Sequence, residues 1–119
     1  MFINYSNHPS KEWGEKQLQA AMQYGPILDI PFPSISPELT EEEMDRLAAR
    51  QAQLILSYGS PTVMVQGEAV FSFRLVTILK SRGLTVLAAC SNREATVCTL
   101  ADGTAVKESA FRFVRFFPY

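Results

Sequence analysis

Apolar positions along this chain occur either in short continuous runs or in longer stretches with helical spacing. The short runs at residues 1–5, 27–30, 62–65 and 84–89 are bounded by glycine, proline or polar residues, and such runs predict β-strands. Between them, apolar residues recur every three or four positions, which predicts three helices. This strand–helix–strand order is typical of an α/β domain with a parallel sheet and right-handed crossovers.

The ends of the three predicted helices have recognisable sequence signals. Ser10 is interpreted as the N-cap of the first helix. Thr40 followed by Glu43 predicts a capping box at the start of the second helix, and the third is expected to follow residues 66–68. Each helix is predicted to end at a glycine that closes its last turn: Gly25, Gly59 and Gly83.

After Cys90 the helical spacing gives way to alternation. Residues 95–100 and a second run from Val106 flank Ala-Asp-Gly-Thr at 101–104, which predicts a β-hairpin. The tail at 111–117 alternates aromatic with basic or apolar residues and indicates an edge strand. The predicted fold is therefore a single α/β domain over residues 1–119, Rossmann-like or flavodoxin-like, with a mostly parallel sheet of order 2-1-3-4, three helices and a C-terminal hairpin.

Composition narrows the classes of function. The 119 residues are 47% hydrophobic and 19% charged, as expected for one globular domain. A net charge of −1 argues against long duplex nucleic acid as a partner. Cys90 and Cys98 lack metal-ligand spacing and are interpreted as buried thiols, so neither a metal nor a cofactor is expected. The sequence shows no signal peptide and no membrane span, which predicts a cytoplasmic protein without a membrane partner.

In the predicted strand order, the switch point falls between the first and third strands. Ligands of open α/β sheets bind there, beyond the carboxyl ends of the strands. Residues 6–10 and 66–68 are therefore expected to form opposite walls of one crevice. His8, the one histidine of the chain, is the candidate acid or base because imidazole exchanges protons near neutral pH. The alternative is a histidine that only braces the loop.

Other polar residues of the first loop are candidates for ligand binding. Ser6 and Asn7 present hydroxyl and amide groups to the crevice. Ser10 could donate to a phosphate oxygen or only cap the first helix, and the two roles are compatible at a helix N-terminus. Lys11 could contact a phosphate or remain solvated.

The later strand ends add further candidates. Gln66 and Gly67 precede the third helix, where a glycine would allow a ligand to approach the backbone amides. Glu68 could act as a base, bind a ribose hydroxyl or complement the helix dipole. Ser91 and Arg93 follow the fourth predicted strand, and Arg93 could pair with a phosphate or open the hairpin as a solvated residue.

A family resemblance rests on three short segments of the chain. They are the Ser-Asn-His-Pro loop at 6–9, Gln-Gly-Glu at 66–68 and Ala-Cys-Ser-Asn-Arg at 89–93. The chain resembles small CRISPR-associated Rossmann-like proteins related to the CARF domain, including the compact ring nucleases, over most of its architecture. The resemblance implies a homodimer that binds a cyclic oligoadenylate across its two-fold axis. Ring nucleases of this type need no metal: a ribose 2′-hydroxyl attacks the adjacent phosphate and leaves a 2′,3′-cyclic phosphate.

The resemblance also implies roles for individual residues. His8 would be the acid/base or charge-stabilising group, and Arg93 would offset phosphate charge. The phosphate and ribose would be held by Ser6, Asn7, Ser10 and Gly67. This chain departs from that pattern in having few basic residues near the site. Two alternatives stay open: a nucleotide-sensing module without catalysis, and a nucleoside-processing glycosidase with Glu68 as nucleophile.

Overall fold

A single mixed sheet organises the chain in this computed structural model, which describes the backbone of residues 1–119 and all side chains except those of Glu108 and Ser109. Over this described part, the strands are β1 (Phe2–Ser6), β2 (Ile27–Pro31), β3 (Thr62–Val65), β4 (Val86–Thr99) and β5 (Ala105–Pro118). The helices are α1 (Glu15–Met22), α2 (Glu41–Leu56) and α3 (Ala69–Ser81). The sheet order is β2-β1-β3-β4-β5, parallel except for the antiparallel β4–β5 pair. The predicted fold class is confirmed.

Alternate residues of the central strands face two separate cores, because side chains along a strand point to opposite faces of a sheet. Phe2 and Met64 pack with Ala21 of α1 on one face, which we call the α1 face. Ile3 and Val65 belong to the larger core on the opposite face, which we call the α2/α3 face. No helix in the described part of the chain is long and apolar enough to span a membrane.

The second helix begins as predicted. The backbone N–H of Glu43 donates to Thr40 Oγ1, and the N–H of Thr40 donates to the Glu43 carboxylate, both at 3.1 Å. The hydrogen bonds that the Glu43 carboxylate accepts from Thr40, above all from its backbone N–H, hold the pKa of this carboxyl below its usual range. The helix ends also match the prediction, since a glycine with positive φ follows each helix: Gly25, Gly59 and Gly83.

The first helix does not begin at Ser10, so that prediction is wrong. Residues Ser10–Glu12 form a short 3₁₀ turn, and α1 starts only at Glu15 after Gly14. The reason is a competing acceptor: the backbone N–H and the hydroxyl of Ser10 both donate to Asp29 Oδ2, at 3.1 Å each. Ser10 therefore ties the loop to β2 rather than capping α1.

The C-terminal hairpin is longer than the sequence predicted. The fourth strand and the first hairpin strand are one continuous β4, and β4 and β5 each have 14 residues. Beyond Cys90 the hairpin leaves the body as a two-stranded segment, residues 91–113, which we call the arm. Cys90 and Cys98 are both exposed free thiols, which corrects their interpretation as buried.

Candidate functional site

An open crevice of about 770 Å³ lies at the carboxyl ends of β1 and β3, between α1 and the base of the arm. From the body it is lined by Ser6, Asn7, His8, Trp13, Gln17, Met64, Gln66, Gly67 and Ala89, and from the arm by Ser91, Phe111 and Phe113. The structure thus brings the loop after β1 and the loop after β3 to one crevice. Ser10, Lys11, Glu68 and Arg93 are not among these lining residues.

The loop that carries His8 is held by a buried amide. Asn4, only 1% exposed in β1, donates through Nδ2 to the His8 carbonyl at 2.9 Å and to Asp29 Oδ1 at 3.0 Å. Its Oδ1 accepts a 2.6 Å hydrogen bond from the Ser6 hydroxyl. Buried polar groups are costly unless paired, and all of these are paired. Asn4 is therefore the centre of the polar network beneath the loop.

The same network fixes the position of residue 8. The indole N–H of Trp13 donates to the His8 carbonyl at 3.0 Å, and the backbone N–H of His8 donates to Ser6 Oγ at 3.2 Å. Both backbone polar groups of His8 are thus bound from below, while the residue itself is exposed at the crevice. The position of His8 at the crevice is therefore fixed through its backbone hydrogen bonds.

This geometry changes the roles expected of the two serines. Ser6 lines the crevice, but its hydroxyl proton goes to Asn4 Oδ1. Ser10 lies outside the lining, and its hydroxyl goes to Asp29. The hydroxyls of both serines therefore stabilise the loop through hydrogen bonds within the protein. Asn7 and His8 are the exposed loop residues that line the crevice.

Gln66 extends the sheet at the opposite wall. Its side-chain amide donates to the Ala89 carbonyl at 3.3 Å and accepts from the Ala89 N–H at 3.2 Å, which imitates a strand rung between β3 and β4. The adjacent Gly67 is required by packing, because a Cβ there would lie 2.4 Å from the Phe32 ring. Phe32 is buried and makes edge contacts with Tyr5 and Phe71.

Glu68 is the N-cap of α3. Its two carboxylate oxygens accept hydrogen bonds from the backbone N–H groups of Phe71 at 2.7 Å and Val70 at 2.9 Å. These bonds hold the pKa of the Glu68 carboxyl below its usual range. A carboxylate used in this way, with reduced basicity, is a poor general base. Of the three roles considered from the sequence, the geometry favours complementing the helix dipole, and it adds a capping role that the sequence did not predict.

A row of aromatic rings lies below the arm, and two of its members, Trp13 and Phe113, line the crevice. The rings of Trp13 and Phe116 lie 6.4 Å apart, and those of Phe116 and Phe113 lie 4.8 Å apart. A β-bulge makes this row possible: Cys90 pairs with Arg115 while Ser91 pairs with Phe113, so β5 has one extra residue there. Simple alternation along 111–117 would have separated Phe113 and Phe116 onto opposite faces.

The crevice itself carries little charge. Among the described residues, the lining of the crevice includes no Lys, Arg, Asp or Glu, and it includes one histidine, His8. No group of three or more His, Cys, Asp or Glu side chains that could hold a metal ion occurs among the described residues. The crevice therefore offers hydrogen-bonding groups and aromatic surface rather than a cluster of charged side chains.

Sequence reasoning missed Asn4, Asp29 and Trp13, which position the loop. The signal was present, since Asn4 and Asp29 interrupt two otherwise apolar strand runs. They are direct partners in the β1–β2 register. A polar residue at the same level of two neighbouring buried strands indicates a shared hydrogen-bond network.

The fold and crevice define an α/β protein with a mostly parallel sheet and an aromatic-walled crevice at its switch point. In a comparison with protein families, residues 1–117 match the model described as Uncharacterized protein MJ1673 family. The chain belongs to this family. No curated protein and no solved structure matches it.

Proposed function

We propose that this protein binds a cyclic oligoadenylate in the crevice between the loops after β1 and β3, as part of CRISPR antiviral signalling. The ligand class comes from the resemblance of segments 6–9, 66–68 and 89–93 to CARF-related proteins. The observation that carries the proposal is the meeting of a rigid polar loop and an aromatic wall in one crevice at the switch point.

The chemistry of the crevice fits a nucleotide. Aromatic rings such as Phe111 and Phe113 provide surfaces on which bases stack, independently of sequence. Asn7 and His8 supply hydrogen-bonding groups for ribose or phosphate oxygens. The volume of about 770 Å³ lies in the upper part of the roughly 300–1,000 Å³ range of small-ligand sites.

The proposal is tested by calorimetric titration of the purified protein with cyclic tetra-adenylate and cyclic hexa-adenylate, with AMP as a small control. Ser91→Trp fills the crevice from the arm and is expected to abolish binding. Asn92→Trp is the matched control, because residue 92 is also exposed but points to the other side of β4. Absence of binding of both rings to the wild-type protein would refute the proposal.

Cleavage of the same ligand is a second candidate, favoured by the exposed His8 on its pinned backbone. In this reaction the ribose 2′-oxygen attacks the adjacent phosphorus and the bond from phosphorus to the 5′-oxygen breaks. His8 takes the proton of the 2′-hydroxyl, and the departing 5′-oxygen gains a proton. The test is chromatography of products with and without a chelator. His8→Ala is expected to retain binding and lose turnover, whereas a fully active variant would exclude the role of His8.

Action in the cytoplasm is a further part of the proposal. Exposed free thiols at Cys90 and Cys98 agree with it, because thiols stay reduced in the cytoplasm.

Between the two open alternatives, binding without catalysis is supported better than a glycosidase reaction. Glu68, the nucleophile that the glycosidase would need, is occupied as the cap of α3.

A further inference from the structure

A second cavity, which we call the α3 cavity, adjoins the wall that Gln66 and Gly67 give to the crevice. These two residues line both spaces. The rest of its lining comes from α3 and from Tyr119, which follows β5. Its volume of about 490 Å³ lies within the roughly 300–1,000 Å³ range of small-ligand sites. The protein therefore has room for a second ligand beside the crevice.

Tyr119 joins the sheet to α3 beside this cavity. Its hydroxyl donates to the Val65 carbonyl at the end of β3 at 2.7 Å, and its own carbonyl accepts from Lys80 Nζ at 2.6 Å. Burial raises the pKa of the Tyr119 hydroxyl above its usual value, so this wall is uncharged at neutral pH. Both ends of Tyr119 are thus held by hydrogen bonds within the protein.

The other polar side chains of the wall have partners as well, with one exception. The Gln66 side chain bonds the backbone of Ala89, and the Thr77 hydroxyl donates to the Phe73 carbonyl at 2.7 Å. The exception is Ser72. Its hydroxyl is the one buried side-chain oxygen or nitrogen without a hydrogen-bond partner among the described residues.

The hydroxyl of Ser72 indicates a ligand because of where the residue lies. Ser72 is only 7% exposed, and it lines the α3 cavity. A buried hydroxyl without a partner destabilises a fold, and such groups in native proteins nearly always have one. A molecule bound in the cavity would supply the missing partner.

The apolar part of the wall defines the rest of the ligand. Ala69, Phe73 and Val76 line the cavity and recur with Ser72 at three- and four-residue spacing, so they belong to one face of α3. Phe73 is 71% exposed and extends this apolar face to the surface. The charge of Lys80 already meets the Tyr119 carbonyl. The lining therefore favours a molecule that is apolar and uncharged.

We propose that the α3 cavity binds a small neutral molecule, apolar except for one hydrogen-bonding group that pairs with the Ser72 hydroxyl. This inference goes beyond the proposed function, because it concerns a second ligand that is uncharged rather than polyanionic. It stands whether or not the crevice binds a nucleotide.

The test uses indole, a neutral bicyclic molecule with one N–H donor, and indene, its analogue without that donor. NMR titration of the full chain should shift the backbone amides of residues 69–77 most. Indole is expected to bind about 2- to 12-fold more tightly than indene, the effect of one net hydrogen bond. Ser72→Ala should remove this difference. Equal affinity of wild type and Ser72→Ala for indole, or no shift of these amides, would overturn the inference.

Filled cavities test the location. Ala69→Trp fills the α3 cavity from an exposed position and should abolish indole binding. Val70→Trp is the matched control, because residue 70 is exposed but outside the lining, and it should leave binding unchanged. Ser91→Trp, which fills the crevice, should also leave it unchanged. Loss of indole binding in Ser91→Trp alone would show that indole occupies the crevice, and the inference would be wrong.

Charge and assembly give two further outcomes. Indoleacetate, which adds a carboxylate, is expected to bind more weakly than indole. Tighter binding of indoleacetate would make Lys80 the centre of an anion site and contradict a neutral ligand. Sedimentation with and without indole examines a second copy of the chain as the occupant. A dimer that indole dissociates would identify the cavity as a protein interface and overturn the inference.

Stability provides a measurement that needs no ligand. Ser72→Ala removes the unpaired hydroxyl and is expected to raise the melting temperature by roughly 4–12 °C. Ser81→Ala on the same helix is the matched control, because the Ser81 hydroxyl donates to the Ile78 carbonyl, and it should give no such rise. A Ser72→Ala variant no more stable than wild type would show that the hydroxyl already has a partner, and the inference would fail.

Discussion

Replacing Asn4 tests whether the buried amide network holds the crevice loop. In Asn4→Ala, the Ser6 hydroxyl, the His8 carbonyl and the Asp29 carboxylate each lose a hydrogen bond. A typical net contribution of ~0.5–1.5 kcal/mol per bond predicts a loss of about 1.5–4.5 kcal/mol in the free energy of unfolding for the three bonds. For a chain of this length, the melting temperature should fall by roughly 6–18 °C.

The measurement is urea unfolding followed by the fluorescence of Trp13, the one tryptophan of the chain, whose indole bonds the same loop. The midpoint should fall while the m-value stays constant. Asn7→Ala, at an exposed position of the loop, is the control and should change stability by less than about 0.5 kcal/mol. A loss in Asn4→Ala that is no larger than this would show that the network does not stabilise the fold.

Three further predictions concern the opposite wall and the surface of α3. Gly67→Ala should lower the free energy of unfolding by about 1–3 kcal/mol, because the added Cβ meets the Phe32 ring. Gly14→Ala is the control and should not lower it, because the space around Gly14 is open. Equal melting temperatures of the two variants would contradict this prediction. The lowered pKa of Glu68 means that its stabilisation is present above the unfolded-state pKa and is lost as pH falls through the folded-state pKa. Wild type should therefore be more stable than Glu68→Gln at pH 7 but not at pH 2, as thermal melts at both pH values can check. The homodimer expected from the sequence stays a prediction: α3 presents Phe73 at 71% exposure, and sedimentation equilibrium should find a dimer that Phe73→Glu dissociates.

The sheet and its order could be predicted because each strand run and each helix end has a local cause. The capping box of Thr40 and Glu43 and the glycines after the helices act within a few residues of sequence. The start of α1 could not be predicted in this way. Ser10 is a good N-cap by type, but Asp29, 19 residues away, binds both its N–H and its hydroxyl. A tertiary hydrogen bond thus overrides a local preference.

The candidate site was located by topology, while the roles of its residues depended on side-chain pairing. Ser6, Gln66 and Glu68 were all expected to face a ligand, yet each is engaged by a nearby group of the protein. Residue type alone cannot distinguish a polar group that builds a loop from one that binds a ligand. The bulge at Phe113 adds a similar uncertainty, since one extra residue reverses the faces of the tail.

These hydrogen-bond pairings separate the residues that hold the loop in place from the residues that are exposed to a ligand. Because the polar side chains beneath the loop bond each other, they fix the crevice but have little capacity left for a ligand. In the proposed function, ligand contact therefore comes from exposed groups that line the crevice, namely Asn7, His8 and the aromatic residues of the arm. An exposed two-stranded hairpin has little stability of its own in water. A ligand that contacts both the body and the arm would therefore order the arm as it binds, and hydrogen exchange of residues 91–113 should slow in its presence.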